Sequence, residues 1–489
     1  MRPIGKLAIA LFVKDEVHDI AGWIAWHSAL GVEKFYIYDD YSTDGTYQVI
    51  KSISDKVNIE YYRSNIEKEG NFYYRQRDSF FDAAEKAKNH YEWIAFLDGD
   101  EYLSLSSAPS IVEFLDGFDQ NCSAIALSWR IFGSSSRVLK DNVPIYRAFK
   151  HHSREDFGDN ALVKSIVRPE KLVLSYENPH KFIINSGIYV DALGQEVAWN
   201  GATKKVTWEG ACVNHYICRS MEHYIGRIKR RIGVDLSNTT NYWNHFDRNE
   251  IFFSEREDIC NKADKILFSE KKSIINSYIS KCKKERNDVL FKQIKYSQPS
   301  DEDGADIYKI FSNDGEGLYV NNIDGHLVKV PSDYPVFGII YRKNRDVVYL
   351  VRIVDGYISD IKYHIISENR KNFAYSYNIE HEGEEYIYLR SPETQKLMCF
   401  IPKESGNSVD VNRETKSLWE RAKIAEIEIG ASFHSDPSVV KDFDSAWNWL
   451  SASDSFVTYN DFVLMFSGLP SQEKEKLNLH AQGVFSWLL

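Results

Sequence analysis

The stretch "WIAFLDGDEYL", Trp93–Leu103, runs from a continuous apolar segment straight into Asp98-Gly99-Asp100-Glu101. An unbroken apolar run of this length reads as a strand covered on both faces, as in a parallel sheet. Three carboxylates at its end repel one another and lose hydration. Such a cluster persists only where a cation or a set of hydrogen-bond donors offsets it. A buried strand with an acidic tip points to an open α/β fold, in which ligands bind beyond the carboxyl ends of the strands.

The residues upstream repeat the pattern. "LAIALFV" (Leu7–Val13) is a second unbroken apolar run, and it ends in Lys14-Asp15-Glu16. "KFYIYDD" (Lys34–Asp40) ends in Asp39-Asp40, and "VNIEYY" (Val57–Tyr62) is a further strand. Between them, Ile20, Trp23, Ile24, His27 and Leu30 share one helical face. Ser42-Thr43-Asp44-Gly45 opens another helix, with Ser42 or Thr43 as its cap, and Asp78–Asn89 reads as a third. The alternation predicts a Rossmann-like, mostly parallel sheet with helices on both faces. Three acidic strand tips then converge on one crevice. A divalent cation bridging carboxylate and diphosphate oxygens would neutralise them, and magnesium or manganese prefers such ligands.

At 489 residues the chain is too long for a single core. Its net charge of -11 argues against nucleic acid as a partner. The 30 Tyr, 27 Phe and 11 Trp suit either β-rich packing or sites for sugars and nucleotides. Six cysteines lie scattered with no CxxC pair, which speaks against a structural zinc site and for reduced thiols. The apolar run near the N-terminus is short and ends in Lys14-Asp15-Glu16, so it reads as a strand and not a signal peptide. No stretch approaches the roughly 20 apolar residues of a membrane span. The expected location is the cytoplasm, with at most peripheral contact at the inner face of the membrane.

The second half changes character. Helical patterns cover about Ser220–Asp235 and Ser254–Lys284, and the polar run Tyr296–Asp306 reads as a linker. Beyond it, "GLYVNNIDGHLVKV", "VVYLVRIVDGYISDI" and "YIYLRSPETQKLMCF" look alike. Asp324-Gly325 and Asp355-Gly356 are hairpin turns. The tyrosines Tyr319, Tyr349 and Tyr388 recur at a period that suggests a threefold repeat. The expected division is an α/β domain at 1–245, a helical connector at 246–295, a β-rich, β-trefoil-like repeat domain at 303–430, and a helical tail at 431–489.

Several ordered motifs resemble a known family. "IYDDYSTDGT" is similar to the second-strand motif of family 2-type glycosyltransferases with the GT-A fold. "VKDEVHDIAGWIAWHSALGVEKFYIYDDYSTDGT", "RQRDSFFDAA" and "WIAFLDGDEYL" resemble glycosyltransferase family 92 and its bacterial relatives more closely. The likeness continues through "SWRIFGSSS", "KSIVRP" and "VNHYICRSMEHY", over roughly residues 5–235. It implies a metal-dependent transferase that moves a sugar from a nucleoside diphosphate, a UDP-sugar favoured, to a hydroxyl of a glycan or glycolipid, with inversion. It further implies that Asp39 and Glu16 lie against the nucleotide, that Asp98 faces ribose and metal, and that Asp100 and His215 ligate the metal. His180 is the rival ligand. Where relatives carry Lys-Asn-Glu and Asp-Asn, this chain has Lys14-Asp15-Glu16 and Asp39-Asp40.

Other candidates follow from chemistry. The basic run Arg227–Gly233, with Arg230 at its centre, could clamp the departing diphosphate. Arg75 and Gln76 are further nucleotide-binding candidates, and Trp129 offers a platform for the acceptor sugar. Inversion needs a general base; Asp156, Glu155, Asp159 and Asp191 are the candidates, with Asp156 first. Two rival readings remain. One is a nucleotidyltransferase, which would carry a Gly-rich loop where this chain has Lys14-Asp15-Glu16. The other is a sugar-binding protein with a degenerate transferase domain, against which the intact acidic tips argue.

Overall fold

The computed structural model describes the chain except residues 1–4, 55–56, 65–68, 139, 141–142, 198–201, 204, 232–238, 291–302, 322–323, 360, 369, 384 and 453–455. The chain divides into two compact units. One comprises Met1–Lys271 with Gln482–Trp487, the other Lys272–Ala481 with Leu488–Leu489.

The first unit contains β1 (Gly5–Val13), β2 (Lys34–Asp39), β3 (Ile59–Arg63), β4 (Tyr91–Asp98), β5 (Glu101–Leu105), β6 (Cys122–Ile131), β7 (His151–His152), β8 (Val163–Val167), β9 (Leu172–Asn178), β10 (Lys181–Ile184), β11 (Ile188–Asp191), β12 (Ala211–His215) and β13 (Ile251–Phe252). Its central sheet runs β3-β2-β1-β4-β8-β6-β12-β5, with β11 also on β6. The pairs β1–β2, β2–β3, β1–β4, β6–β11 and β6–β12 are parallel; β8 pairs antiparallel with β4 and β6, and β5 with β12. The sheet is therefore parallel-rich but mixed. The apolar runs at β1 and β4 are buried, as expected for strands covered on both faces.

Helices α1 (Ile20–Leu30), α2 (Thr46–Ile53) and α3 (Phe72–Ala87) follow the first three strands. Two expectations are corrected here. The second helix starts at Thr46 with Gly45 before it, and neither Ser42 nor Thr43 caps it. Asp44 instead accepts the Thr46 N–H (2.9 Å). The third helix starts six residues earlier than read, where the Asn71 side chain accepts the Tyr73 N–H. Gly45 sits at φ +107°, and a Cβ there would lie 2.6 Å from Ser486 Oγ. The C-terminal residues 482–487 thus close against the loop that opens α2.

The second unit is built around a ring. Its strands are β14 (Ala305–Ser312), β15 (Tyr319–Val320), β16 (Leu327–Val328), β17 (Phe337–Tyr341), β18 (Asn344–Val351), β19 (Ile353–Val354), β20 (Tyr357–Ile358), β21 (Tyr363–Ile365), β22 (Arg370–Asn372), β23 (Ala374–Glu382), β24 (Tyr386–Arg390), β25 (Leu397–Phe400), β26 (Val409–Arg413) and β27 (Ala422–Glu426). Six of them close in the antiparallel order β14-β17-β18-β23-β24-β27 and back to β14. Hairpins β15–β16, β21–β22 and β25–β26 interrupt the three successive strand pairs. Bridges His326–His364 and Val328–Ser408 tie these hairpins together. One core fills the ring, with Ile310, Leu350, Tyr377 and Leu389 all buried.

The three strand pairs begin at Ala305, Asn344 and Tyr386, so the anchors differ from those read in the sequence. Tyr349 and Tyr388 lie on ring strands, whereas Tyr319 lies in a hairpin. The linker read at Tyr296–Asp306 lies mostly outside the described residues, and its last two residues already belong to β14. Beyond the ring come three short helices, Phe443–Ser451, Tyr459–Gly468 and Ser471–His480. No helix among the described residues is long and apolar enough to cross a membrane.

Candidate active site

The Asp98–Glu101 turn is fixed from three sides. On one side α1 is buried almost all round and not on a single face. Its Trp23 and Trp26 indoles donate to the Glu101 and Leu103 carbonyls (2.8 Å each). His27 donates from Nδ1 to Trp23 O and accepts the Leu103 N–H at Nε2 (3.2 Å). Burial lowers its pKa to about 3, so the ring is neutral and can accept. From inside the turn, Glu101 Oε2 accepts the Asp98 N–H (2.9 Å). From the far side, β12 pairs with β5 in the register His215 to Glu101, and the Tyr216 N–H donates to Asp100 O (2.9 Å). These bonds bring the end of β12 against the acidic turn.

The carboxylates are offset by the protein's own cations. Lys164, on β8, is 1% exposed and reaches Asp98 Oδ2 (2.7 Å) and Glu101 Oε2 (3.1 Å). Gln76 donates to the other Asp98 oxygen (3.0 Å). Arg227 pairs with Asp100 Oδ2 (2.8 Å). Burial pushes the Asp100 carboxyl up, but Arg227, His215 and Arg219 outweigh it and hold it well below the ordinary carboxylate range. Glu101, fully buried, is lifted by that burial to about 7 despite Lys164.

Asp100 Oδ1 faces His215 Nε2 at 3.6 Å. That is too long for a hydrogen bond. It suits two ligands of one cation, each about 2.1 Å from it. The His215 ring is held edge-on by Trp129, 4.2 Å between centroids. His215 Nδ1 is buried with no hydrogen-bond partner among the described residues. The residues present therefore fit a divalent metal at Asp100 and His215, with Asp98 two residues away.

The other acidic tips have partners as well. Asp39 is buried and pairs with Arg63 (2.9 Å); burial raises its pKa, partly countered by Ser42 and Arg63. Arg75 forks onto both Asp40 oxygens (2.7 and 2.8 Å), and Ser64 adds a third bond (2.6 Å). Arg75 thus braces the β2 tip. Glu16, Asp19 and His223 form the one donor trio of metal-site dimensions among the described residues. Its centre is filled by Arg219 Nη1, which lies 2.6, 2.7 and 3.1 Å from the three.

The remaining candidates divide by position. Asp156 and Glu155 lie exposed in a turn after β7. Asp159 pairs with His245 (2.5 Å). Asp191 ends β11 and accepts the Leu193 and Gln195 N–H groups (2.9 Å each), which makes it a turn residue. Trp129 is 7% exposed and contacts His215 and His180. His180 Nδ1 bonds Val163 O (3.0 Å), and burial lowers its pKa to about 4. The Arg230 side chain lies outside the described residues.

Three groups carry no role in the sequence analysis: Lys164 and Arg219, which lie inside quoted motifs, and the α1 indoles, of which Trp23 appears there as part of a helical face and Trp26 not at all. One signal was available: a lysine in the apolar strand "VKSIV" needs an acidic partner.

Glu255 anchors the strand pair from behind, accepting from Ser104 on β5 (3.1 Å) and Asn214 on β12. Burial lifts its pKa from 4.5 to about 7, against Ser104, Arg130 and Asn214. A folded-state pKa above the unfolded one means the native state binds the extra proton. Stability should therefore fall as pH rises from about 4.5 to about 7, by at most about 3 kcal/mol from this group. Urea titrations across that range should show a flatter slope for Glu255→Gln; an unchanged slope would contradict the assignment.

With this geometry in place, residues 8–249 match the glycosyltransferase family 92 model. Those residues belong to glycosyltransferase family 92. A family 92 protein of Oryza sativa subsp. japonica is 25% identical over 214 residues, 42% of this chain and 35% of the relative. One from Ricinus communis is 28% identical over 195 residues, 38% of this chain and 33% of the relative. The match thus spans about a third of these relatives' own length. Among solved structures, S. aureus TarS 1-349 aligns over 58% of this chain and 83% of its own, at 13% identity and TM-score 0.27. The designed threefold protein ThreeFoil aligns over 25% of this chain and 99% of its own, at 13% identity and TM-score 0.17. Neither score is high enough to bear on fold or function. The family 92 region holds β1–β12 and with them the turn, Lys164, His215, Arg219 and Arg227.

Proposed function

We propose that the chain is an inverting, metal-dependent glycosyltransferase of the GT-A type. It transfers a sugar from a nucleoside diphosphate, a UDP-sugar favoured, to a hydroxyl of a glycan or glycolipid, in the synthesis of surface polysaccharide or glycoconjugate. The observation that carries this reading is the Asp100–His215 pair, 3.6 Å apart beside the carboxyl end of β4 in a family 92 region. Asp100 and His215 would hold manganese or magnesium, with Asp98 alongside. When bound, the ion would act as a Lewis acid on diphosphate oxygens. Arg227 keeps the second Asp100 oxygen, which leaves the first turned toward His215. Lys164 and Gln76 hold one oxygen each of the Asp98 carboxylate.

Glu16 and Asp39 would flank the nucleotide, with Arg75 bracing the β2 tip through Asp40, and Arg230 would meet the departing diphosphate. Trp129 would carry the acceptor ring. Of the candidate bases, Asp156 and Glu155 are exposed, whereas Asp191 is already engaged by two backbone N–H groups. The closed six-stranded ring with its three tied hairpins supports reading the second unit as a β-trefoil-like module. Six buried, unpaired cysteines support a reducing compartment such as the cytoplasm.

A screen of nucleotide sugars tests the proposal. Release of the nucleoside diphosphate should occur with at least one donor, stop with EDTA and return with manganese. If no nucleotide sugar is bound or turned over, the reading fails.

A further inference from the structure

The hairpins of the second unit bring two histidines side by side. In "DGHLV" (Asp324–Val328) and "YHI" (Tyr363–Ile365) the histidines adjoin core residues, for Leu327, Tyr363 and Ile365 are all buried. Alternation along a strand then turns His326 and His364 to the outer face, where both are half-buried. The bridge His326–His364 sets the two residues abreast, and the His364 N–H donates to Gly325 O (2.8 Å). We propose that His326 and His364 bind a divalent late transition-metal ion, zinc, nickel or copper, with water completing its coordination. The proposal does not depend on the transferase reading.

Three observations carry it. The first is donor type and spacing. Imidazole nitrogen suits these ions. Each nitrogen lies about 2.1 Å from such an ion, which puts two of them roughly 3 Å apart. The ring centres are 4.8 Å apart at an interplanar angle of 40°, so the rings are not stacked and that nitrogen spacing is within reach. The second is orientation. Asp324 Oδ2 lies 3.1 Å from His326 Nδ1, and Asp324 Oδ1 accepts the His326 N–H (3.0 Å). A carboxylate on one ring nitrogen fixes the tautomer and leaves Nε2 with its lone pair outward, the usual support behind a metal-bound histidine. The His364 ring makes no hydrogen bond among the described residues and touches His326.

The third is that both backbones are set in advance. The Asn321 N–H donates to His326 O (2.8 Å) and the Gly325 N–H to Asn321 O (2.9 Å), with Gly325 at φ +77° closing the turn. Ligands held in this way lose little entropy when an ion binds. Selectivity follows from the neighbours. Lys371 stands opposite His364 on β22. A lysine there disfavours magnesium and calcium, which are held by charged oxygens, and leaves ions that bond to neutral imidazole. A bound ion would join the β15–β16 hairpin to β21–β22 and so stabilise the second unit by mass action.

Equilibrium dialysis of the tag-free full chain against copper, nickel, zinc or magnesium tests the proposal. It is done in the Asp100→Ala background, which removes a proposed ligand of the other metal site. Copper, nickel and zinc should be taken up and magnesium should not. Adding His326→Ala or His364→Ala should each remove about one equivalent. Both side chains are partly exposed, so the variants should keep the parent's circular dichroism. Asp324→Asn leaves both ligands in place and should weaken uptake by about tenfold or more. With copper bound, electron paramagnetic resonance should show coupling to two imidazole nitrogens, and to one fewer in each histidine variant. Equal uptake of magnesium, parental uptake in both histidine variants, parental affinity in Asp324→Asn, or a copper signal without imidazole coupling would each overturn it. Absence of nucleotide-sugar turnover would remove the transferase reading and leave this site standing.

Discussion

Replacing Asp100 with alanine should cut release of the nucleoside diphosphate by about a thousandfold or more, roughly 4 kcal/mol of transition-state stabilisation. The size follows from where the side chain stands. Asp100 meets both His215 and Arg227, so its loss removes one of two proposed ligands and frees a buried cation. The fold should survive. The turn is held by the Glu101 carboxylate, by the Trp23 and Trp26 indoles and by the Asp100 carbonyl, none of which the substitution touches. Unchanged circular dichroism with activity lost is the expected result. Near-normal turnover at saturating manganese would remove Asp100 from the metal site.

Lys164→Met should cost about 3 to 5 kcal/mol of stability, the usual loss when one partner of a buried ion pair is removed. The methionine fills most of the volume but leaves Asp98 and the fully buried Glu101 facing each other. Burial already lifts the Glu101 carboxyl above the ordinary range, so it takes up a proton more readily than an ordinary glutamate, which softens the loss near neutral pH. Adding Glu101→Gln to Lys164→Met should restore part of the stability, because the two losses share one interaction. Urea unfolding followed by tryptophan fluorescence measures both. A single variant within about 1 kcal/mol of the parent would show that Lys164 is not what holds the turn.

The sheet strands were legible because β1 and β4 are unbroken apolar runs, a pattern that survives without knowledge of neighbours. The acidic tips were legible for the same reason, each being local to its strand end. What neutralises them was not. Lys164 reaches Asp98 from 66 residues away and Arg219 reaches Glu16 from 203, and no local period encodes such pairings. Helix α1 is buried beyond the face that its spacing marks, and Trp26, outside that face, bonds to the Leu103 carbonyl of β5. Helix α3 was read too short because Phe72, Tyr73 and Tyr74 mask the Asn71 cap. In the second unit the hairpin signals were real, but the Asp355-Gly356 turn belongs to an extra hairpin and not to the three that the bridges tie together. The tyrosine period was therefore measured between positions that are not equivalent.

The return of residues 482–487 to the first unit bears on how the protein matures. Gly45 leaves room for Ser486, and Trp487 sits beneath the Lys271 ammonium, 4.8 Å from its ring centre. These contacts cannot form until the ribosome has made residues 272–481. The first unit is therefore sealed by a segment made after residues 272–481, and a nascent chain stopped before residue 482 would carry an α2 loop without its Ser486 contact. Cutting the chain after Asp301 to isolate a minimal catalyst would create the same defect. Fusing residues 482–487 back through a short linker is the way to repair it.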